Sequence, residues 1–184
     1  MYKPSFGFLT DYYRREYILS NLNIDAFKEE HIMSLNHKVN TTNKLYFWQL
    51  YSILGEERIH NFIQKFYENI FNDLNDVYFS NTFKKLGTIQ YHIFGQQNFW
   101  LDIMGGGKKY AGGEFRLKRH HDLAKDIMNK KGANRWLYHM EKTLNNQLLD
   151  LTNDYRVKFC IVDFIHFFMK KYAEQYNFVF KSSL

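Results

Sequence analysis

Apolar residues recur along this chain at the spacing of helix faces, and a single proline, Pro4, leaves long stretches without a break. The clearest stripe is Ile59, Phe62, Ile63, Phe66, Tyr67 and Ile70, an i, i+3, i+4 repeat that predicts a helix with one face in the core. Just before it, an apolar segment over 45–53 stops at Leu54-Gly55. Glu56-Glu57 then open the next helix with negative charge near its positive end. Residues 86–104 read as a further helix, and Trp136, Leu137, Met140, Leu144 and Leu148 stripe another. A last helix is expected over 154–180, where Phe159, Val162, Phe164, Phe167, Phe168, Tyr172 and Tyr176 make a broad apolar face. Upstream, Tyr12, Tyr13, Tyr17, Ile18, Leu19 and Leu22 predict one or two helices within the first 45 residues, and the polar run 36–44 reads as a linker. Between 72 and 85 the pattern lapses into a mixed connection carrying Tyr78, Phe79 and Phe83.

One stretch interrupts the helical pattern. Of the ten glycines in the chain, Gly105, Gly106, Gly107, Gly112 and Gly113 fall between Phe99 and His121, in FWLDIMGGGKKYAGGEFRLKRHH. Glycine is costly inside a helix, so this cluster marks a place where the backbone turns sharply or takes positive φ. It is followed by a basic segment that ends in two adjacent histidines.

This order resembles a truncated haemoglobin. In that family a helix carrying distal haem-pocket residues ends in Gly-Gly, a short basic loop with a tyrosine follows, and a second glycine opens the segment that the iron-binding histidine closes. Gly105-Gly106-Gly107-Lys108-Lys109-Tyr110 and Gly113-Glu114-Phe115-Arg116-Leu117-Lys118-Arg119-His120-His121 match it in turn. Trp136-Leu137-Tyr138-His139-Met140 looks like the family's second subgroup. Tyr51-x-x-Leu54-Gly55-Glu56-Glu57 and Lys65-Phe66-Tyr67-Glu68 look like its first helix and the start of its second. The resemblance spans about residues 51–147. It implies an all-α, truncated-globin-like helical sandwich over 46–184, with a helical extension over 1–45.

The resemblance also implies a haem and its surroundings. Gapless matching from Gly113 makes His121 the iron ligand, whereas matching backward from Leu123 selects His120. Tyr67 is the distal tyrosine of the family. Phe79 matches a phenylalanine wedged against a haem face, and Arg119 is suited to a propionate. Counting back from Gly105 puts His92 and Gln96 at the two distal positions, with Phe99 a turn further along. Their i, i+4, i+7 spacing shares one helix face, and a His and a Gln above iron can donate hydrogen bonds to dioxygen. Trp136 offers an indole N–H to the same ligand. The function implied is binding of dioxygen or a related diatomic, with nitric oxide or peroxide chemistry as an extension of it. The alternative is a haem-free globin fold serving as a structural subunit of a larger, mitochondrial assembly; residues 1–45 either wrap the globin domain or provide the docking element for a partner.

Composition narrows the other classes. At 184 residues the chain suits one domain plus extensions. The net charge of +6 is spread among acidic residues, and no aromatic-basic platform of the kind single strands need is present, so no nucleic-acid partner is expected. The lone Cys160 lies in an apolar run and permits no internal disulfide. The apolar run 159–169 is broken by Asp163 and too short to span a membrane. An intracellular location, cytoplasmic or mitochondrial, is expected. No glycine-rich loop carries the Lys-Ser/Thr of a phosphate site, and no His/Cys spacing suggests zinc.

Overall fold

The computed structural model describes residues 7–21 and 44–180, and these contain helices and no strand. They are α1 (Thr10–Asn21), a 3-10 turn (Phe47–Gln49), α2 (Leu50–Phe71), α3 (Val77–Leu86), α4 (Ile89–Ile103), α5 (Gly113–Ala124), α6 (Lys130–Leu151) and α7 (Tyr155–Tyr176). The all-α expectation holds. The proposed linker over 36–44 lies outside the described residues, apart from Lys44.

The central element is α2, which packs against α4 on one side, α6 on another, and α3 after its end. Its stripe of Ile59, Phe62, Ile63, Phe66, Tyr67 and Ile70 is buried throughout. The break expected at Leu54-Gly55 is present as a sharp kink at which two helical runs of α2 meet. Gly55 takes φ 73° and ψ 169° within the run, a conformation open to glycine because it has no Cβ to clash. The glycine cluster ends α4 where sequence placed the break. A Cβ on Gly105, whose φ is 91°, would lie 2.0 Å from the carbonyl oxygen of Trp48. Glycine therefore lets α4 end directly against the entry to α2, where the Tyr51 amide donates to the Met104 carbonyl at 3.0 Å.

The structure corrects the reading of 72–85. Most of this stretch is helix α3, capped by Asp76, whose side chain accepts from the Phe79 amide at 3.0 Å. Only Phe79, Ser80 and Phe83 of α3 are buried, too few for a clear stripe, so the cap was the more informative signal. Further along, α6 begins at Lys130, six residues ahead of Trp136, and α7 ends at Tyr176, where Asn177 turns left-handed with φ 52°.

The N-terminal helix is part of the same core. Leu9 and Tyr13 are buried among residues of α4 and α7, with Tyr13 edge-on to Phe99 and Phe164. The approach is fixed by Asp102, which is fully buried near the end of α4. Its carboxyl accepts from the amides of Phe8 (3.1 Å) and Leu9 (2.7 Å), and from those of Lys109 (3.1 Å) and Tyr110 (3.0 Å) in the loop that follows. Its backbone carbonyl accepts from the Thr10 hydroxyl.

Candidate functional site

A cavity of about 470 Å³ opens between α2, α4, α5, α6 and α7. Tyr67 enters it from the buried stripe of α2, and His92, Gln96 and Phe99 enter from α4. Their shared face follows from the 3.6-residue turn that spaces them. From α5 come Arg116, Arg119, His120 and Leu123, again one helical face. Trp136 closes the cavity on α6, while Phe168 and Tyr172 form the wall on α7. Two residues of the expected set are elsewhere. Phe79 stacks on His139 at 5.9 Å and is not part of the wall. His121 lies on the far side of α5, between Phe168 and Tyr172, in a smaller cleft with Tyr12, Tyr13 and Lys171.

The placement of the two histidines is a matter of helix phase. Adjacent residues point about 100° apart, so only one of the pair can face the cavity, and that one is His120. Its ring lies nearly parallel to Phe99 at 6.5 Å. Burial, and then the nearby His121, His92 and Arg116, push its pKa down to about 4. The imidazole is therefore neutral at physiological pH, with a lone pair free for a metal. His121 is brought to about 4 as well, chiefly by burial, and its Nε2 is buried without a partner.

The opposite wall carries the donors. His92 lies flat against Tyr67 at 5.6 Å, and its Nε2 is 3.0 Å from the carbonyl of Phe83. A carbonyl only accepts, so this nitrogen holds the proton, and burial keeps the ring neutral by lowering its pKa. Neutral His92 thus has no second N–H. Donation into the cavity falls to the Tyr67 hydroxyl, the Gln96 amide and the Trp136 indole. Burial raises the Tyr67 pKa, which keeps its phenol protonated and a donor.

Sequence reasoning did not place Tyr110 in the cavity; it offered Arg116 only within the basic run 116–119 and Tyr172 only within the broad apolar face of the last helix. The Arg116 guanidinium sits 4.6 Å over the Tyr110 ring, and Tyr110 is fixed by the hydrogen bond that its backbone N–H donates to the Asp102 carboxylate. The i−4 spacing of Arg116 from His120 was the signal available for it.

The profile of the bacterial-like globin family matches residues 49–170, two thirds of the chain, from the start of α2 into α7. The chain belongs to this family. Comparison with curated proteins and with solved structures yields no match. Among the described residues of this bacterial-like globin, no helix is long and apolar enough to cross a membrane.

Globins typically bind haem, and the residues present fit one. The fit rests on a neutral imidazole on one wall, aromatic rings around it, and the two cations Arg116 and Arg119 on the helix that carries it. Tyr91, Phe115 and Leu123 add large apolar groups that are 61%, 81% and 48% exposed while lining the cavity. Exposed apolar groups around one opening mark a ligand site more often than a bare surface. His120 would hold the iron, and the two arginines suit the carboxylates of the porphyrin.

Proposed function

We propose that this bacterial-like globin binds haem through His120 and takes a diatomic ligand, dioxygen or a related molecule, on the opposite side. The observation that carries this reading is the neutral His120 imidazole facing Tyr67, Gln96 and Trp136 across a single aromatic cavity. The iron of a bound haem supplies the site for the ligand. The chain then contributes three residues that can donate hydrogen bonds, Tyr67, Gln96 and Trp136, lining one largely aromatic volume. A polarised diatomic is held by such donors more tightly than a non-polar one, so dioxygen is favoured over carbon monoxide. The His92–Phe83 bond makes His92 a fixed part of the wall rather than a donor.

Reconstitution of the purified protein with haemin tests this directly. A Soret band is expected for the wild type and for His121→Ala, and its loss for His120→Ala, because of the two neighbours only His120 lines the cavity. The opposite pattern would transfer the role to His121. Absence of the band in the wild type would favour a globin fold serving as a structural subunit without haem.

A further inference from the structure

One side of the cavity wall continues outward in a way that ligand binding does not require. Tyr172 of α7 forms part of the wall and is 2% exposed. One turn further along the helix, Tyr176 lies against it, with ring centroids 5.6 Å apart and planes 19° from parallel. Residues at i and i+4 stack in this manner on a helix face. Tyr176 is half-buried, and its hydroxyl donates to the carbonyl of His121 at 2.5 Å. That bond pins the ring across α5 and α7 while leaving an edge in solvent. Two phenols therefore lead from the cavity wall to the protein surface with their rings in contact.

The other oxidisable rings of the wall reach the surface directly or not at all, and none has a second phenol stacked on it as Tyr172 has. Tyr67 is surrounded by Phe66, Phe83 and His92, none of which yields an electron as readily as a phenol. Trp136 abuts Phe66. Tyr110 lies under the Arg116 guanidinium, and a fixed positive charge opposes the removal of an electron from the ring beneath it. Tyr91 is 61% exposed at the rim, with the His92 ring edge-on beside it and no phenol.

We propose that Tyr172 and Tyr176 form a relay that passes single electrons from a phenolic donor at the surface to haem iron during reduction of a hydroperoxide. The relay rests on the haem reading given above. The hydroperoxide takes up two electrons and two protons, its O–O bond breaks, and an alcohol and water leave. Each electron leaves Tyr172, whose hydroxyl keeps its proton, and is at once replaced from Tyr176, whose hydroxyl loses its proton to solvent as it loses the electron. The resulting neutral phenoxyl group takes a hydrogen atom from the external phenol, which restores the Tyr176 O–H bond. Over a full cycle one hydroperoxide and two phenols become one alcohol, one water and two aryloxyl radicals.

The test uses the full chain reconstituted with haemin, treated with hydrogen peroxide in the presence of a nitroso spin trap and mapped by peptide mass spectrometry. Trap adducts are expected on Tyr176 in the wild type. In Tyr172→Phe, which keeps the ring and removes the phenol, the Soret band should persist while the Tyr176 adduct falls to background. An undiminished Tyr176 adduct in that variant would overturn the relay, and so would adducts confined to Tyr91. A Soret band with no Tyr176 adduct in the wild type overturns the relay and leaves haem binding standing. No Soret band in the wild type overturns both.

Discussion

Two buried aspartates hold this globin together, and they do so by different means. Asp73, at the corner between α2 and α3, meets side chains. The Arg135 guanidinium of α6 pairs with both of its oxygens, each at 2.5 Å, and His139 Nε2 lies 2.8 Å away. The amides of Asn75 and Asp76 complete the set. Asp102, near the end of α4, meets backbone only, through four amides from two segments remote from each other in sequence. A carboxyl that gathers charged side chains clamps helices already formed, whereas one that gathers amides gives shape to segments with no regular hydrogen bonding of their own. The second kind positions the site, because the loop it shapes delivers Tyr110 to the cavity wall and carries α5 onward to His120.

The sharpest way to break this comparison is Asp102→Ala. It leaves four amides without an acceptor, those of Leu9 and Tyr110 buried and those of Phe8 and Lys109 part-buried, and each buried orphan costs about 1–3 kcal/mol. Loss of a cooperative thermal transition, or a midpoint lowered further than in any variant of the Asp73 corner, is the expected outcome by calorimetry. A mild shift would mean that the amides find water. Arg135→Met comes next. Breaking a buried pair costs about 3–5 kcal/mol, and the lower end is expected because the guanidinium is partly exposed and Asp73 keeps His139 and two amides. Urea unfolding of the variant measures it, and a cost equal to that of Asp102→Ala would erase the distinction.

Acid sharpens the contrast further. The Asp73 pKa is lowered, first by its bond to Arg135, so it adds stability above the ordinary carboxylate pKa that is lost as pH falls through its depressed folded value. The histidines act earlier. His139, like His120 and His121, has its pKa lowered mainly by burial, so the unfolded chain binds protons that the folded chain refuses. Their contribution is complete above the unfolded pKa of about 6.5 and declines below it. Stability should therefore begin to fall near pH 6.5, well before carboxylates titrate. Thermal midpoints measured between pH 8 and 4 should show that early decline, and a flat profile down to pH 5 would contradict it. The smallest effect belongs to Lys131→Ala. Its pair with Asp76 is at the surface, with the lysine side chain 72% exposed, and removal should cost under about 0.5 kcal/mol. A larger loss in urea unfolding would show that the rim of the Asp73 corner contributes as much as its interior.

The same contrast explains what sequence could reveal. The stripe on α2, the kink at Gly55 and the glycine stop after α4 were legible because each depends on residue type at fixed spacing. The cavity residues Tyr67, His92, Gln96, Phe99 and Trp136 came from helix faces and family likeness, which is why they converge. The choice between His120 and His121 was not legible in the same way. It depends on the phase at which α5 starts from the left-handed Gly112, and an error of one residue turns the face by about 100°. Phe79 was misplaced for a related reason, since α3 sets its direction and α3 was read as a connection. Asp102 carried no signal at all. It is one acid in FWLDIM, and its partners are amides that any residue but proline supplies.

The Asp102 junction also bears on the order of assembly. Phe8 is 94 positions ahead of the carboxyl that receives its amide. A ribosome adding about 5–20 residues each second leaves the N-terminal segment without its acceptor for about 5 to 20 s. The loop amides of Lys109 and Tyr110 emerge only moments after Asp102 and can reach it first. The segment that carries Phe8 thus docks after the loop, and for those seconds Leu9 and Tyr13 are apolar groups with nowhere to go, open to a chaperone.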